Sequence, residues 1–317
     1  MSTFLRRVLV SGAAGYLGRH VCKALAELKD VQVVAHVRRE PKESILGAEQ
    51  LIELDLEQAN TEDWLEVLNQ IDAAIWLAGA DAKQCSDDPI RAVKLNVEGL
   101  LKFAQAASKS GVKRIVFAST FHVYGTTESM VITEGTLPNP SHPYPASKLA
   151  AEYFLNTVPM ETVVVRLSNA VGKPLGASEQ AWKLVANNMC QQAVKTRQIT
   201  VTTPGQYRDF VSIRDAAKAF VHMINISPRS LHSVINVGGD RCLSMVELAE
   251  LISVQSSVSL GFVPEVNVLS QGMRNNSFKF KIDQLLSSGF CFSSTLEAEI
   301  SDCLNHCATH LNSADVR

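Results

Sequence analysis

The chain has 317 residues, with thirty basic and thirty-two acidic side chains and a net charge of −2. That balance excludes the whole-protein basic field that grips nucleic acid, yet leaves room for a local basic pocket around a phosphorylated small molecule. Hydrophobic residues make up 46% and charged residues 20%, the balance of a soluble globular protein with a large core and no need of metal or disulfide staples.

Seven cysteines cannot all pair, and Cys22, Cys85, Cys190, Cys242, Cys291, Cys303 and Cys307 are scattered. This suits a reducing compartment. The apolar run before Ser11-Gly12 is too short for a signal peptide. No stretch of about 18 uninterrupted apolar residues is present to span a membrane. A cytoplasmic protein without membrane or nucleic-acid partners is expected.

In chain order, residues 7–11 predict a short buried strand. Residues 16–28 follow with helical spacing, placing Leu17, Val21, Leu25 and Leu28 on one face. Strands are predicted over 31–37, 51–54, 71–77 and 114–118. Residues 89–109 read as one long helix, with Val93, Val97, Leu100, Leu101 and Ala104 setting the period and Gly111 ending it. A helix over 146–156 leads into a strand over 163–167. Continuous apolar strands separated by helices imply a parallel sheet covered on both faces. The fold class is therefore α/β, a doubly wound Rossmann domain over 1–172. Beyond Gly172 the texture changes. Helices over 179–195, 214–224 and 244–254, with strands over 199–202, 233–237 and 261–266, predict a smaller α/β substrate cap over 173–317. Parts of this later chain are expected to interleave with the first domain. The tail from Leu311 is expected to fray.

Three segments carry chemistry. Ser11-Gly12-Ala13-Ala14-Gly15-Tyr16-Leu17-Gly18 follows the first strand and opens a helix. Its glycines allow a tight turn and close approach of a pyrophosphate to a helix N-terminus, so dinucleotide binding is expected. At the end of the second strand, the place of the usual ribose-binding acid holds His36, followed by Val37, Arg38 and Arg39. Two guanidiniums there would attract a 2′-phosphate, which favours NADP(H) over NAD; a solvated arginine pair is the plain alternative. Asp55 is placed to meet the adenine edge, or to cap a helix. Third, Tyr144-Pro145-Ala146-Ser147-Lys148 puts a phenol and an ammonium on one helical face. A neighbouring ammonium would lower the phenol pKa from near 10 toward a useful range. Ser119 and Thr120, ending an apolar strand, supply a hydroxyl for the same substrate oxygen. Cys303, His306, Cys307 and His310 have the spacing of a metal site, but read more simply as a terminal helix, and no metal is expected.

Together these residues resemble the extended short-chain dehydrogenase/reductase family, the NAD-dependent epimerase/dehydratase group. The resemblance extends through Leu77-Ala78-Gly79-Ala80, Asn96-Val97-Glu98-Gly99, Ser119–Gly125, Arg166–Gly172, Arg208-Asp209-Phe210-Val211 and Asn236-Val237-Gly238. It implies a catalytic trio of Thr120, Tyr144 and Lys148. It implies a cofactor site lined by Gly12, Gly15, Tyr16, Leu17, Gly18, Arg38, Arg39, Asp55, Leu56, Leu77, Ala78, Gly79, Tyr144 and Lys148. Substrate would meet Thr120, Phe121, His122, Asn169, Arg208 and Arg274, the last three around a nucleotide-sugar diphosphate. With the arginine pair and the cap segments 202–210 and 274–277, the expected activity is NADPH-dependent reduction of a nucleotide-linked 4-keto-6-deoxy sugar. The alternative is an NAD-dependent nucleotide-sugar 4-epimerase. A dehydratase ranks third, because Phe121 and His122 stand where that group carries carboxylates. A non-catalytic NADP-binding regulator is the reading from another class. A homodimer is expected through the helices over 89–109 and 146–156, whose Ala104, Ala106 and Ala107 would permit close packing.

Overall fold

Burial alternates along the first strand and sets the architecture. In β1 (Arg6–Ser11), Val8 and Val10 join the core on one side of the sheet and Leu9 the core on the other, as the two-residue period of a strand requires. The computed structural model describes residues 6–125, 130–227, 233–269 and 277–311. After β1 come α1 (Tyr16–Ala26), β2 (Val31–Val37), β3 (Gln50–Glu53), α2 (Thr61–Val67), β4 (Ala73–Trp76), α3 (Ala82–Asp87), α4 (Pro89–Val93), α5 (Gly99–Ser110), β5 (Arg114–Thr120), β6 (Val131–Ile132), α6 (Pro143–Leu155), β7 (Glu161–Leu167) and β8 (Asn169–Val171). The second half adds α7 (Val185–Thr196), β9 (Gln198–Val201), β10 (Tyr207–Ser212), α8 (Ile213–Asn225), β11 (Val234–Val237), β12 (Cys242–Ser244), α9 (Met245–Leu260), β13 (Glu265–Val268), β14 (Lys279–Phe280), α10 (Asp283–Ser287) and α11 (Leu296–Leu311).

Seven parallel strands form the central sheet in the order β11-β7-β5-β4-β1-β2-β3. The chain leaves β1 toward β2 and β3 on one side, then returns to β4 and β5 on the other. This reversal opens a crevice at the carboxyl ends of the strands. Val21 and Leu25 of α1 pack with Phe220 and Met223 of α8 over one face. Trp64, Trp76 and Phe103 cover the other. A separate core of Val171, Cys190, Phe210, Leu248, Ile252, Ile300 and Cys303 joins α7, α9 and α11 to the small sheets. No described helix is long and apolar enough to cross a membrane.

Several expectations change. The strand expected over 233–237 in the cap half is β11, the outermost strand of the central sheet. The long helix over 89–109 is interrupted by a π-helical turn at Lys94–Glu98. That extra residue rotates Val93 off the buried face, leaving it 54% exposed. Gly111 does end the helix, with φ +81°. The helix over 179–195 is a 3-10 turn at Glu179–Lys183, an extended Leu184, then α7. Asn187 anchors α7 there, donating to the Gly172 carbonyl at 2.9 Å and accepting from its N–H at 3.2 Å. The helix over 244–254 continues to Leu260 because Gly261, placed in a strand by the sequence, instead caps it with φ +72°. Ala104, Ala106 and Ala107, expected on an exposed face, are fully buried against their own sheet. On those helices Ile90, Val93, Tyr153 and Phe154 are exposed instead.

Candidate active site

The glycine turn is built for contact without side chains. Gly12 has φ +74°, and a Cβ there would lie 2.9 Å from the Ala78 nitrogen. A Cβ on Gly18 would come within 2.2 Å of the Gly12 carbonyl oxygen. The turn, α1 and the loop after β4 therefore nest only because no side chain intervenes. Gly15 occupies the N-cap of α1 and supplies no capping side chain. The first-turn N–H groups are left for an anion, as a dinucleotide pyrophosphate requires. Across the crevice, a Cβ on Gly79 would lie 2.4 Å from Asn96 Oδ1 and 3.5 Å from Lys148 Nζ. The expected cofactor loop and Lys148 thus meet.

Tyr144 and Lys148 stand four residues apart on α6. The Tyr144 phenol lies within reach of the Thr120 side chain at the end of β5, which acts on its titration. Lys148 Nζ donates to the Ala118 carbonyl at 3.0 Å and lies over the Phe117 ring at 5.0 Å. Burial draws the ammonium down to about 8, opposed by Cys85 and Glu152. Burial also pushes the Tyr144 phenol up to about 12; Cys85 adds to this and the Thr120 side chain opposes it. The lowering expected for Tyr144 is therefore absent in the protein alone. An enclosed site favours the neutral form of each group, and burial outweighs any neighbouring cation.

Strand alternation places two further side chains. Ser119 points away from Thr120, and its hydroxyl donates to the Glu152 carboxylate inside the protein. It cannot serve the substrate oxygen. His36 lies on the inner side of β2 with Val34, its ring edge-on to Trp64 with centroids 4.9 Å apart. Its Nε2 meets the Leu54 carbonyl at 2.9 Å, and burial holds the imidazole down to about 4. It is a core residue, not a ribose ligand. Arg38 and Arg39 follow it, exposed at the strand end, and among the described residues neither is ion-paired. Asp55 caps its own turn, accepting from the Glu57 N–H at 3.0 Å. Leu56 is buried in the core. The Tyr16 phenol is buried too, donating to the Gly172 carbonyl at 2.7 Å, so its side chain joins the two halves of the chain. Leu17 packs partly buried beside it, while Leu77 donates its N–H to the Ser11 carbonyl.

On the cap side, His122 follows Thr120, and Phe121 is held against Phe278 and Phe280. Burial, then the charges of Arg208 and His142, hold His122 down to about 4. Arg208 donates to Gln206 Oε1 at 3.0 Å. Burial lowers its pKa, and among the described residues no carboxylate pairs with it. A desolvated guanidinium without a counter-ion fits an anionic ligand. Asn169 lies on the paired strand, its amide donating to the Asp209 carbonyl at 2.9 Å. Arg274 lies outside the described residues.

Two residues escaped the sequence reading. His142 precedes α6, and its ring centroid lies 6.4 Å from those of both His122 and Tyr144. Asn96, noted only as part of a family segment, sits in the π-helical turn. It accepts from the Ala80 N–H at 2.7 Å and donates to Ser147 Oγ at 2.9 Å. It ties the Gly79 loop to α6. Its position beside a glycine loop was the available signal. The terminal cluster carries no metal geometry: no group of three or more His, Cys, Asp or Glu among the described residues could hold an ion. Cys303 and Cys307 are buried, and His306 stacks on Trp182 and His310.

The model of the NAD dependent epimerase/dehydratase family matches residues 8–238. The UDP-glucose 4-epimerase of Azospirillum brasilense is 30% identical over 68% of this chain and 67% of its own. A solved UDP-N-acetylglucosamine 4-epimerase from Methanobrevibacter ruminantium M1 superposes with a TM-score of 0.81 at 22% identity, over 96% of this chain and 99% of its own. The UDP-glucuronic acid 4-epimerase of Bacillus cereus, solved with NAD, superposes at 0.79 and 21% identity, over 95% and 96%. These two structures share the fold. The chain belongs to the NAD dependent epimerase/dehydratase family and is an enzyme of the extended short-chain dehydrogenase/reductase type.

Proposed function

We propose that the chain is a nucleotide-sugar 4-epimerase. The observation that carries this reading is the Thr120–Tyr144 contact beside buried Lys148, in a chain 30% identical to a UDP-glucose 4-epimerase. The glycine turn and α1 would hold the pyrophosphate, and Lys148 the nicotinamide ribose. Bound there, the dinucleotide supplies a hydride acceptor and donor. As the phenolate, which the positive charge of an oxidised nicotinamide would favour over the neutral form held by the protein alone, Tyr144 takes the proton of the sugar C4 hydroxyl and later returns one, while Thr120 holds the oxygen. Arg208 and Asn169 face the diphosphate.

The 4-ketoreductase expected from the sequence is the less supported reading. Reduction and epimerisation share one hydride step, so the same three side chains serve both and do not separate them. The relatives favour the epimerase. Dehydration is disfavoured by Phe121 and neutral His122 beside Thr120, and the complete trio disfavours a non-catalytic regulator. For the cofactor, exposed Arg38 and Arg39 support NADP, although the Bacillus cereus neighbour holds NAD. A homodimer would cover Ile90, Val93 and Tyr153; sedimentation as a monomer would remove it. Incubation with UDP-linked hexoses tests the activity itself. The C4 epimer should accumulate, and an unchanged hexose pool, with a nucleotide-linked 4-keto sugar reduced at the expense of NADPH instead, would overturn the reading.

A further inference from the structure

We propose that Glu152 is a positioning residue for the reaction, whose buried carboxylate locks α6 onto the end of β5 and keeps a negative charge beside Lys148. The proposal rests on the catalytic roles given above to Tyr144, Thr120 and Lys148.

Three successive residues of β5 each hold one residue of α6. The Ala118 carbonyl accepts from Lys148, the Ser119 hydroxyl donates to Glu152, and Thr120 meets Tyr144. Tyr144, Lys148 and Glu152 are spaced four apart, so they share one helical face. Ser119–Glu152 is the one of these ties that takes no part in chemistry. It is also the most enclosed, with Ser119 and Glu152 each 4% exposed.

The carboxylate is held from a second strand as well. Arg166 Nε donates to both Glu152 oxygens at 3.2 Å, and its Nη2 to Oε2 at 2.7 Å. Ser119 and Arg166 are register partners on β5 and β7, so both side chains leave the same face of the sheet, toward α6. Beneath them the Arg166 guanidinium lies 4.9 Å from the Tyr124 ring, whose hydroxyl donates to Asn236 Oδ1 at 2.7 Å. The brace thus reaches from the catalytic helix to the outermost strand.

A buried ion pair is seldom needed for stability, since an apolar pair of the same shape packs as well. What an apolar pair lacks is charge. Lys148 faces the Cys85 thiol from α3 and Glu152 from its own helix, both of which favour the ammonium against burial. Beyond Glu152 the next charge is Arg166, of the opposite sign. Exchanging Glu152 for Gln keeps the shape and an acceptor for Ser119, but leaves Arg166 uncompensated, which disfavours a charged Lys148.

The test uses the full chain as wild type, E152Q and S119A. NADPH binding, read by fluorescence, and turnover of a UDP-hexose are both followed against pH. In E152Q the alkaline limb of both profiles should move down by about one pH unit, the effect of losing a close opposite charge, with kcat falling more than KM rises. In S119A, which keeps the charge, kcat should fall several-fold with the limb in place. Coincident wild-type and E152Q profiles would overturn the electrostatic part, and an unchanged kcat in S119A would overturn the brace. If E152Q does not fold, S119A alone decides. A wild type that binds NADPH yet epimerises no sugar contradicts the functional reading, while the binding profiles still judge Glu152.

Discussion

The Tyr144 phenol at the start of α6 and the Thr120 side chain at the end of β5 interact directly, so the proposed proton carrier and the group proposed to orient the substrate oxygen lie side by side. Tyr144→Phe removes the carrier and leaves the glycine turn and Lys148 in place. Turnover should fall by about 10²–10⁴-fold, the usual weight of a positioned acid–base group, with NADPH affinity in fluorescence titration nearly unchanged. Retained turnover would contradict the assignment of Tyr144.

Gly18→Ala should weaken dinucleotide binding and lower the melting temperature. Its Cβ would sit 2.2 Å from the Gly12 carbonyl oxygen, a backbone atom that cannot rotate away. Overpacking of this kind costs about 1–3 kcal/mol. Gly135→Ala is the control, because its nearest neighbour is Thr133 Oγ1 at 3.7 Å. Equal behaviour of the two variants would show that the turn tolerates a side chain.

Arg38 and Arg39 bear on the cofactor alone. Removing both as R38A/R39A should weaken NADP binding by at least about tenfold, the scale of a lost charge-assisted contact to phosphate, and spare NAD. An unchanged NADP/NAD affinity ratio would leave the arginines as solvated surface.

Stability should fall in mild acid. His20 and His36 are buried, and burial holds each down to about 4, against 6.5 in the unfolded chain. As pH drops below about 6.5 the unfolded chain takes up protons that the folded chain refuses. The stability present above that value is therefore lost progressively toward pH 4, by a few kcal/mol for each fully buried imidazole at about 1.4 kcal/mol per pH unit. Asp209, pushed up to about 6 by burial, acts with the opposite sign and offsets part of the loss. Urea unfolding at pH 7 and pH 5 measures the slope. His36→Phe, which keeps a ring beside Trp64, should flatten it, and an unaltered slope would mean that His36 titrates normally.

Much of the fold is legible in the sequence because buried parallel strands read as unbroken apolar runs, and the carboxyl ends of β1, β4 and β5 then bring the glycine turn, Gly79 and Thr120 to one edge. What stayed hidden needs tertiary information. A short run such as β11 does not say which sheet it joins. The π-helical turn at Lys94–Glu98 follows from Asn96 reaching the Gly79 loop, a contact that spacing does not reveal. The inward side of His36 and Ser119 stays hidden for a shared reason: a one-residue step along a strand turns a side chain from crevice to core. Arg208 is legible as a cation, but that no carboxylate among the described residues pairs with it is visible only once its neighbours are placed.

The most direct test of the epimerase reading follows the C4 hydrogen. The purified protein is given UDP-glucose deuterated at C4, and the product is analysed by mass spectrometry and NMR. The account predicts UDP-galactose that keeps deuterium at C4, with no net change in the dinucleotide. Deuterium lost from C4, or dinucleotide turned over in step with sugar, would contradict it.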